Sequence, residues 1–552
     1  MFRALALFAA AAAPSSAQAQ ISVIRSSASG EKWAPQPSLA WRAATPSSGA
    51  NVSISRALKQ TLLGFGAAFT DTSAYNAIVL MNESSRREFV DAYWGPRGLG
   101  FALGRVHINS PDYSFASYNL DNVSGDWSLL HFDAGMAYDS QRVLPLMRLA
   151  QAAAGAPLRL FGSPWSPPAW MKKPCQCCHD MICSAAAPCL LDDAGGRSAR
   201  ATWAAYIVKW LDAMAAHGFR MWGLTPQNEP EAIQQKFESC AFAPADMADF
   251  IGGYLGPALA EQWADLHVMG YDHNRLHALT WAQALLGNAS VAKYVDSFAV
   301  HWYDYAQSLG LDNLAAIRQL LGPDAPFLNT ESCYLQSLVI DWRIGELYMA
   351  DIFGSLNSGV GGWMGWNLVL LTGDRYPQWL GGWSRAARTR FPPRVCLPSQ
   401  NKPLPLARPT TPATTGPNHD GTRTFGDAVL LELNASGTER LIYQPSYYIL
   451  GHVSRFARPG ARLLPSGGRG VAASAADYDS VRAYALGQAA STDLLLAVAF
   501  AAEDGRTLSA VVANPTDADA TFDLVDAGAQ GGARAATTTL PPHTIATFSW
   551  AA

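Results

Sequence analysis

The sequence lacks a large excess of either charge. Its 552 residues include 40 lysine and arginine residues and 44 aspartate and glutamate residues, for a formal net charge of −4. A protein that binds nucleic acid through its phosphates carries a basic face, and this balance gives no sign of one. A charged fraction of 15% against 49% hydrophobic residues is that of a globular chain. We therefore expect no nucleic-acid partner, and a chain long enough for more than one domain.

Long apolar runs are absent beyond the N-terminus. Residues 5–13 are apolar but too short to span a bilayer, and they follow the basic Arg3. Residues 17–19 (Ala-Gln-Ala) have the small-x-small form of a signal-peptide cleavage site. The pattern predicts a signal peptide over residues 1–19 and passage through the secretory pathway to an extracellular or lysosome-like destination. Five Asn-x-Ser sequons agree with a glycoprotein, at Asn51, Asn82, Asn122, Asn288 and Asn434.

Cysteine is scarce, with eight residues in the chain. Five of them crowd between residues 175 and 189, around His179. Their spacing matches no standard paired zinc pattern, and an exported protein can form disulfides, so we expect local disulfides here rather than a metal. The other three, Cys240, Cys333 and Cys396, stand apart, and Cys333 is expected to be a packed thiol. The sequence does not define the pairing.

An alternation of strand-like and helical segments begins near residue 61. The strand candidates are residues 64–70, 100–108, 158–164, 221–226, 267–272, 297–303, 326–330 and 361–367. Helical stretches between them include residues 134–154, 199–217, 244–260, 311–321 and 339–357. Eight β/α units predict an α/β fold, a (β/α)8 TIM barrel over residues 61–384. A doubly wound sheet would place a glycine-rich phosphate turn after its first strand, and Gly64-Phe65-Gly66 is no such turn.

The regions on either side of the barrel read as β-structure. Alternating patterns predict strands in residues 52–55, 428–433, 481–485, 494–500, 508–513 and 537–540. We expect an antiparallel β-sandwich built from residues 20–60 and 426–552. A proline- and threonine-rich insertion, residues 385–425, separates it from the barrel.

Two glutamates follow strand-like runs. Glu229 lies in residues 225–230 (Thr-Pro-Gln-Asn-Glu-Pro), and Glu331 follows residues 326–330. In a (β/α)8 barrel the carboxyl ends of the strands meet at one face, so both side chains can reach the same cleft. A pair of facing carboxylates is what glycosidic-bond cleavage needs. Other polar and aromatic residues fall at or near strand ends: Asp71, Asn109, Trp165, Asp272, His301, Tyr303 and Trp366.

Seven segments give the chain a family resemblance. It resembles glycoside hydrolase family 30, particularly the glucosylceramidase (acid β-glucosidase) branch. The segments occur in family order: residues 64–71 (GFGAAFTD), 163–170 (SPWSPPAW), 225–230 (TPQNEP), 299–303 (AVHWY), 330–333 (TESC), 363–368 (WMGWNL) and 443–452 (YQPSYYILGH). The resemblance implies a (β/α)8 barrel with an attached β-sandwich.

The resemblance also implies retaining hydrolysis through a glycosyl-enzyme intermediate, with Glu331 as nucleophile and Glu229 as acid/base. We expect the negative charge of Glu331 and partial burial to raise the pKa of Glu229. Arg105 is the candidate cation that keeps Glu331 ionised.

The remaining candidate residues would bind the sugar. Asn228 would hydrogen-bond the 2-hydroxyl group. Asp71 would accept hydrogen bonds from the hydroxyl groups at the far end of the ring. The alternative for Asp71 is the N-cap of the following helix. Trp165 and Trp366 would form pocket walls, with core packing as the alternative, and Asn367 would support them. His301 and Tyr303 alternate on one strand and can face the barrel mouth, where Tyr303 could hydrogen-bond Glu331; a buried core histidine is the alternative for His301.

Departures from the family pattern concern the leaving-group side. The loop of residues 231–239 is shorter than in lysosomal glucosylceramidases, and residues 371–379 replace a Gly-Gly-Pro-Asn pattern. We expect a β-glucoside or glycosphingolipid substrate, with glucosylceramide foremost. Alternatives are an endo-β-1,6-glucanase, a β-xylosidase, or a catalytically silent sugar- or lipid-binding relative. No metal or organic cofactor is expected, because protonation and carboxylate attack suffice. A membrane surface or an activator protein could present a lipid substrate, and the oligomeric state is not defined.

Overall fold

The structure is a computed structural model that describes residues 20–46, 48–175, 181–182, 184–233, 237–334, 341–372, 428–433 and 439–552. The predicted signal peptide (residues 1–19) and insertion (residues 385–425) lie outside the described residues, as does most of the segment 371–379. The predicted domain limits therefore stay predictions.

Four strands precede the barrel: β1 (Gln20–Ser27), β2 (Ala34–Ala40), β3 (Arg42–Ala43) and β4 (Ala50–Ile54). The next eight strands close into a parallel barrel, in the order β10-β11-β12-β5-β6-β7-β8-β9. They are β5 (Gly64–Ala68), β6 (Leu103–Ile108), β7 (Arg159–Pro164), β8 (Gly223–Leu224), β9 (His267–Asn274), β10 (Ser297–His301), β11 (Phe327–Glu331) and β12 (Gly362–Asn367). Each overlaps one predicted segment, which confirms the predicted barrel.

Helices surround the barrel on the outside. The α-helices are Asp71–Tyr75, Glu83–Trp94, Val143–Ala154, Ala199–Ala216, Pro244–Phe250, Gly256–Gln262, Ala278–Leu286, Ala289–Ala292, Leu311–Leu321 and Trp342–Asn357. Short 3-10 turns lie at Asp139–Gln141, Ala169–Met171 and Tyr303–Ala306, and π-helical turns at Asn76–Leu80 and Ile251–Leu255. None of the helices that the structure describes has the length and hydrophobicity to cross a bilayer.

The interior of the barrel is filled by side chains from six of its strands. They form one buried apolar cluster of Leu103, Phe161, Met269, Ala299, Leu328 and Met364. Because this layer closes the barrel, a substrate can be bound only at an open end, and the carboxyl ends of the strands supply the functional side chains.

A small sheet lies next to the last barrel strand. It contains β13 (Leu370–Leu371), β14 (Val429–Leu433) and β15 (Glu439–Tyr443). Residues 428–433 were predicted to belong to the sandwich, and that prediction is wrong. Leu430 and Leu431 pair in parallel with β13, directly after the barrel, and both are fully buried there.

The sandwich combines both ends of the described chain. Its later strands are β16 (Arg462–Leu464), β17 (Ser466–Gly467), β18 (Leu496–Ala501), β19 (Thr507–Asn514), β20 (Ala520–Asp526), β21 (Arg534–Leu540) and β22 (Thr544–Ala551). One sheet has the order β16-β18-β19-β22-β1-β2 and the other β17-β4-β20-β21-β3. The N-terminal strands therefore join the C-terminal ones, as predicted, although β4 pairs with β20 in parallel.

Two helices accompany the sandwich, Pro445–Ser454 and Ala475–Ala485. The strand predicted over residues 481–485 is wrong, because these residues end the second helix. Ser474 and Asp477 form a capping box at its start, and the buried residues Tyr478, Val481 and Ala485 recur at helical spacing.

The first helix contacts both the barrel and the sandwich, and on the barrel side Tyr447 Oη donates to Ala92 O over 3.0 Å. In it, His452 lies 2.8 Å from Thr547 Oγ1 through Nδ1 and 2.9 Å from Ser26 Oγ through Nε2. Burial lowers the pKa of His452 to about 3, so the imidazole is neutral in the folded protein.

Candidate active site

Three barrel strands carry irregularities of register near their carboxyl ends. They fall at Asp272 in β9, Thr330 in β11 and Trp366 in β12. The backbone at Asp272 has φ +69°, in the left-handed region. A bulge re-aims side chains relative to the regular alternation of a strand, so the side chains around these three positions depart from that alternation.

The dipeptide Asn228-Glu229 follows β8 and is held by neighbouring strand ends. Asn228 N donates to Pro164 O over 2.7 Å, and Glu229 N donates to Asp272 O over 3.0 Å. Glu229 has φ +47°, an uncommon conformation for a residue with a side chain, at a cost of about 1–2 kcal/mol. The surrounding hydrogen bonds hold this conformation, which directs the carboxylate toward β9 and β10.

Glu331, at the end of β11, is bound by two donors. Arg105 Nη1 donates to its Oε2, and Tyr303 Oη donates to its Oε1 over 2.8 Å. The Glu331 side chain is buried, with 8% of its surface exposed. Both contacts match the sequence prediction, although Tyr303 lies in the turn after β10 rather than in the strand. The two donors fix the orientation of the carboxylate, and one of them is a cation.

Arg105 connects the two glutamate-bearing segments. Its Nη2 donates to Asn228 Oδ1 over 2.7 Å and to Asp272 Oδ2 over 2.8 Å. Burial lowers the pKa of Arg105, but Asp272 and Glu331 outweigh burial and raise it, so the guanidinium is charged.

Asp272 is the polar centre of the site, and sequence reasoning noted its place at a strand end without giving it a role. Its oxygens have five partners: Arg105, Ser163, Thr225, Thr330 and His301. Burial raises the pKa of Asp272, and the charges and hydrogen bonds around it outweigh burial and hold the pKa well below its usual range. An ionised carboxylate only accepts hydrogen bonds, so Nε2 of His301 carries a hydrogen.

Two imidazoles face Glu229. Nδ1 of His301 is 3.3 Å from Glu229 Oε1, and Nδ1 of His273 is 3.5 Å from the same atom. The other nitrogen of His301 is 4.0 Å from Glu331 Oε2, so one ring lies next to both carboxylates. His273 was missing from the predicted site, because the bulge that turns it inward has no signal in the sequence.

These histidines change the expected proton affinity of Glu229. Burial raises its pKa, as predicted, but the contacts with His273 and His301 outweigh burial and lower it below the ordinary value. Burial lowers the pKa of His301, whereas Glu331 and Asp272 raise it to about 9. The geometry therefore places the proton on the His301 imidazole, and the predicted rise in the pKa of Glu229 is wrong.

Two tryptophans are buried beside Arg105, each with 2% of its surface exposed, and their role as pocket walls stays a prediction. Trp165 and Trp366 stack with ring centroids 5.2 Å apart and an interplanar angle of 27°. The Arg105 guanidinium lies 4.6 Å from the Trp165 ring and 5.5 Å from the Trp366 ring. A cation over two aromatic faces is fixed in position as well as in charge. The predicted wall residues thus also hold the group that binds Glu331.

Asp71 and Asn367 lie outside this hydrogen-bonded group. The carboxylate of Asp71 is ion-paired with Arg142 at 2.9 Å and accepts from Ser114, Phe115 N and Tyr138. It is also not the helix cap, because Thr70 takes that role. Asn367 Oδ1 accepts from Thr70 Oγ1 over 2.7 Å. The predicted contact of Asp71 with sugar hydroxyls gains no support from these partners.

The cysteines depart in part from the expected local pairing. Cys189 forms a disulfide with Cys240, 51 residues away, with Cα atoms 5.3 Å apart. Cys333 is a buried thiol, as expected, with its Sγ 3.3 Å from Tyr303 Oη. Residues 176–180, 183 and 396, which include four cysteines, lie outside the described residues.

The fold and the site together define a (β/α)8 barrel in which Glu229 and Glu331 both lie next to the ring of His301. Residues 62–396 match the profile of the glycosyl hydrolase family 30 TIM-barrel domain. The chain belongs to glycosyl hydrolase family 30.

Curated relatives carry two kinds of name. "Putative glucosylceramidase 4" of Caenorhabditis elegans is 33% identical over 323 residues, which is 56% of this chain and 60% of the relative. "Lysosomal acid glucosylceramidase" of the mouse is 32% identical over 336 residues, 58% of this chain and 62% of the relative. "Endo-1,6-beta-D-glucanase" of Neurospora crassa is 32% identical over 256 residues, 46% of this chain and 49% of the relative. The matches thus span half to about 60% of these relatives.

A solved structure shows the same fold over nearly the whole chain. SrfJ from Salmonella typhimurium superimposes with a TM-score of 0.74 at 24% identity, covering 96% of this chain and 99% of that one.

Proposed function

We propose that the protein is a retaining glycoside hydrolase that cleaves β-glucosidic bonds. The observation that carries the proposal is the unequal environment of the two glutamates. Glu331 is bound by the Arg105 guanidinium and the Tyr303 hydroxyl, whereas Glu229 contacts two imidazoles. One carboxylate is thus held as an anion and the other is next to a proton source, which is the division of labour that double displacement requires.

In the first step, a carboxylate oxygen of Glu331 attacks the anomeric carbon and the glycosidic C–O bond breaks. Glu229 first receives the proton that His301 Nδ1 holds 3.3 Å away and passes it to the leaving oxygen, which leaves His301 neutral. In the second step, Glu229 takes a proton from water, which attacks the same carbon and releases Glu331. No group beyond these side chains and water is needed for the proton and electron-pair balance.

Asn228 is suited to the sugar 2-hydroxyl. Arg105 occupies its Oδ1, which orients the amide, and within the described part of the chain no acceptor takes a hydrogen bond from its Nδ2. That NH₂ group can therefore donate to the 2-hydroxyl oxygen, a contact that strengthens as positive charge develops on the ring.

Glucosylceramide is the substrate that we propose first, because the worm and mouse relatives are named glucosylceramidases. The Neurospora relative supports endo-β-1,6-glucanase activity as the second candidate. A lysosomal or secretory location and presentation of lipid by a membrane surface or an activator protein belong to the same proposal.

The test is hydrolysis of an aryl β-glucoside, glucosylceramide in detergent and a linear β-1,6-glucan by the full chain, with Glu331→Gln alongside. We expect aryl glucoside and glucosylceramide turnover that Glu331→Gln abolishes while its circular dichroism spectrum is unchanged. Turnover of the glucan alone would reverse the order of the two candidates. Near-normal activity of folded Glu331→Gln would contradict the proposal, and sugar binding without turnover by the wild type would favour the catalytically silent alternative.

A further inference from the structure

Glu229, His273 and His301 form a compact set of metal-ligating side chains. One ligand atom of each lies within 4.8 Å of the others. Two imidazole nitrogens and one carboxylate oxygen are the three protein ligands found in many zinc sites that keep a fourth position open.

The distances fit a tetrahedral ion. With zinc bonds of about 2.0–2.1 Å, neighbouring ligand atoms of a tetrahedron lie about 3.3 Å apart. Glu229 Oε1 is 3.3 Å from His301 Nδ1 and 3.5 Å from His273 Nδ1. The ligand atoms of the two histidines lie within 4.8 Å of each other.

The surroundings prepare both nitrogens for a cation. Asp272 accepts from Nε2 of His301 over 3.0 Å, which orients the ring and turns Nδ1 toward Glu229. A carboxylate behind a histidine is the usual support of a metal ligand. Nδ1 of His273 is buried and makes no hydrogen bond among the described residues.

The local charge also favours a dication. Three carboxylates, those of Glu229, Asp272 and Glu331, meet two cations, the Arg105 guanidinium and the protonated His301 imidazole, so the group keeps a net negative charge. A zinc ion would replace the proton that His301 shares with Glu229, and it would give Nδ1 of His273 a partner.

We infer that Glu229, His273 and His301 bind Zn²⁺, and that the bound ion blocks the active site. With Oε1 committed to the metal, Glu229 can neither deliver a proton to a leaving group nor take one from water. The proposed zinc site would thus make the protein reversibly sensitive to free zinc. The blockade rests on the proposed hydrolysis, whereas the binding itself does not.

The test uses the full chain without a polyhistidine tag. Binding is measured by calorimetric titration with ZnCl₂ and by the visible absorption of Co²⁺, neither of which depends on turnover. We expect one saturable equivalent with the intense absorption of tetrahedral Co²⁺, and at least a tenfold weaker affinity in His273→Gln. His277→Gln is the matched control, because His277 is nearby on the rim but contacts Glu231 instead. Its affinity should equal that of the wild type.

Glu229→Gln is the second variant, and it should also lose affinity. Cys333→Ser tests the nearby thiol as the metal ligand, and we expect it to bind zinc like the wild type. The absence of a saturable equivalent in the wild type, wild-type affinity in folded His273→Gln, or loss of binding in Cys333→Ser would overturn the site.

Inhibition is measured separately, as the fraction of each protein's own metal-free rate on an aryl β-glucoside. We expect zinc to inhibit the wild type at the concentration at which it binds, and EDTA to restore the rate. Hydrolysis that continues with zinc bound would overturn the blockade. A protein that binds Co²⁺ in the expected way but hydrolyses nothing would contradict the proposed function and leave the metal site supported.

Discussion

The hydroxyl of Tyr303 donates to Oε1 of Glu331 over 2.8 Å, on the oxygen opposite the one that Arg105 contacts. The two donors hold the carboxylate from both sides, so the orientation of the proposed nucleophile depends on Tyr303 as well as on charge. The contact also lies beside the buried thiol of Cys333.

We predict that Tyr303→Phe lowers kcat/KM for an aryl β-glucoside about 10- to 100-fold, since a hydrogen bond to a charged group is worth about 1.5–3 kcal/mol. The measurement is steady-state kinetics of the purified variant. Tyr443→Phe is the matched control, because Tyr443 also donates to a glutamate, Glu88 at 2.9 Å, away from the barrel mouth. Equal rates for Tyr303→Phe and the control would exclude a role of this bond in catalysis.

Asn228 and the sugar 2-hydroxyl should behave as one interaction. We predict that the wild type loses on the order of 100-fold in kcat/KM on a 2-deoxy β-glucoside, and that Asn228→Ala loses a similar factor on the ordinary substrate. The kcat/KM of the variant should then fall by a further factor of less than about five on the 2-deoxy substrate, because the contact is already absent. If the losses from the Asn228→Ala substitution and from removal of the 2-hydroxyl group multiplied, Asn228 would not act through the 2-hydroxyl group.

Removing the charge of Asp272 should cost both stability and activity. Asp272→Asn leaves the buried Arg105 with one carboxylate fewer and His301 without its partner, so we predict a loss of about 3–5 kcal/mol in the free energy of unfolding. Asp296→Asn is the control, because Asp296 pairs with His267 at the surface and should change stability by less than about 1 kcal/mol. Urea unfolding measures both. A fully stable Asp272→Asn variant would contradict the central place of this residue.

Acid should weaken the attachment of the sandwich through His452. Its folded pKa of about 3 lies below the ordinary 6.5, so below pH 6.5 the unfolded chain binds a proton that the folded protein does not. Stability is therefore lost as the pH falls, by up to about 1.4 kcal/mol per pH unit for this group. Burial also lowers the pKa of His107, to about 4, so His107 contributes to the loss of stability in acid in the same direction.

The difference between wild type and His452→Gln isolates this contribution. We predict that the free energy of unfolding of the variant falls less steeply between pH 6.5 and 4.5, with a slope smaller by the equivalent of about one proton. The control His277→Gln should behave like the wild type. Parallel curves for wild type and His452→Gln would show that His452 is not the titrating group.

Much of the fold was predictable because it depends on repetition. Eight apolar runs, each ending in polar residues, defined the barrel, and the same endings placed Asn228, Glu229 and Glu331 at one face. The helix over Ala475–Ala485 could also have been found, since Ser474 and Asp477 form a capping box. Its short apolar stretch predicts a strand, because a run of this length is equally compatible with a strand and with part of a buried helix.

The parts of the site that were missed depend on tertiary geometry. Asp272 and His273 lie at a bulge with a left-handed backbone at Asp272, and no residue type in the sequence indicates that bulge. The bulge places His273 next to Glu229. Because the sequence does not show that His273 lies beside Glu229, it predicts a raised pKa for Glu229. The partners of Asp71, Arg142 and Tyr138, also come from a distant loop that the sequence does not connect to it, and its contact with sugar hydroxyls stays a prediction.

The most direct test of the account is mass spectrometry after incubation with a 2-deoxy-2-fluoro β-glucoside that carries a good leaving group. Such a compound traps a retaining enzyme as its glycosyl ester. The account predicts one added fluorosugar, located on the peptide that contains Glu331 and absent in Glu331→Gln. An adduct on another residue, or turnover without any trapped intermediate, would contradict Glu331 as the nucleophile of a double displacement.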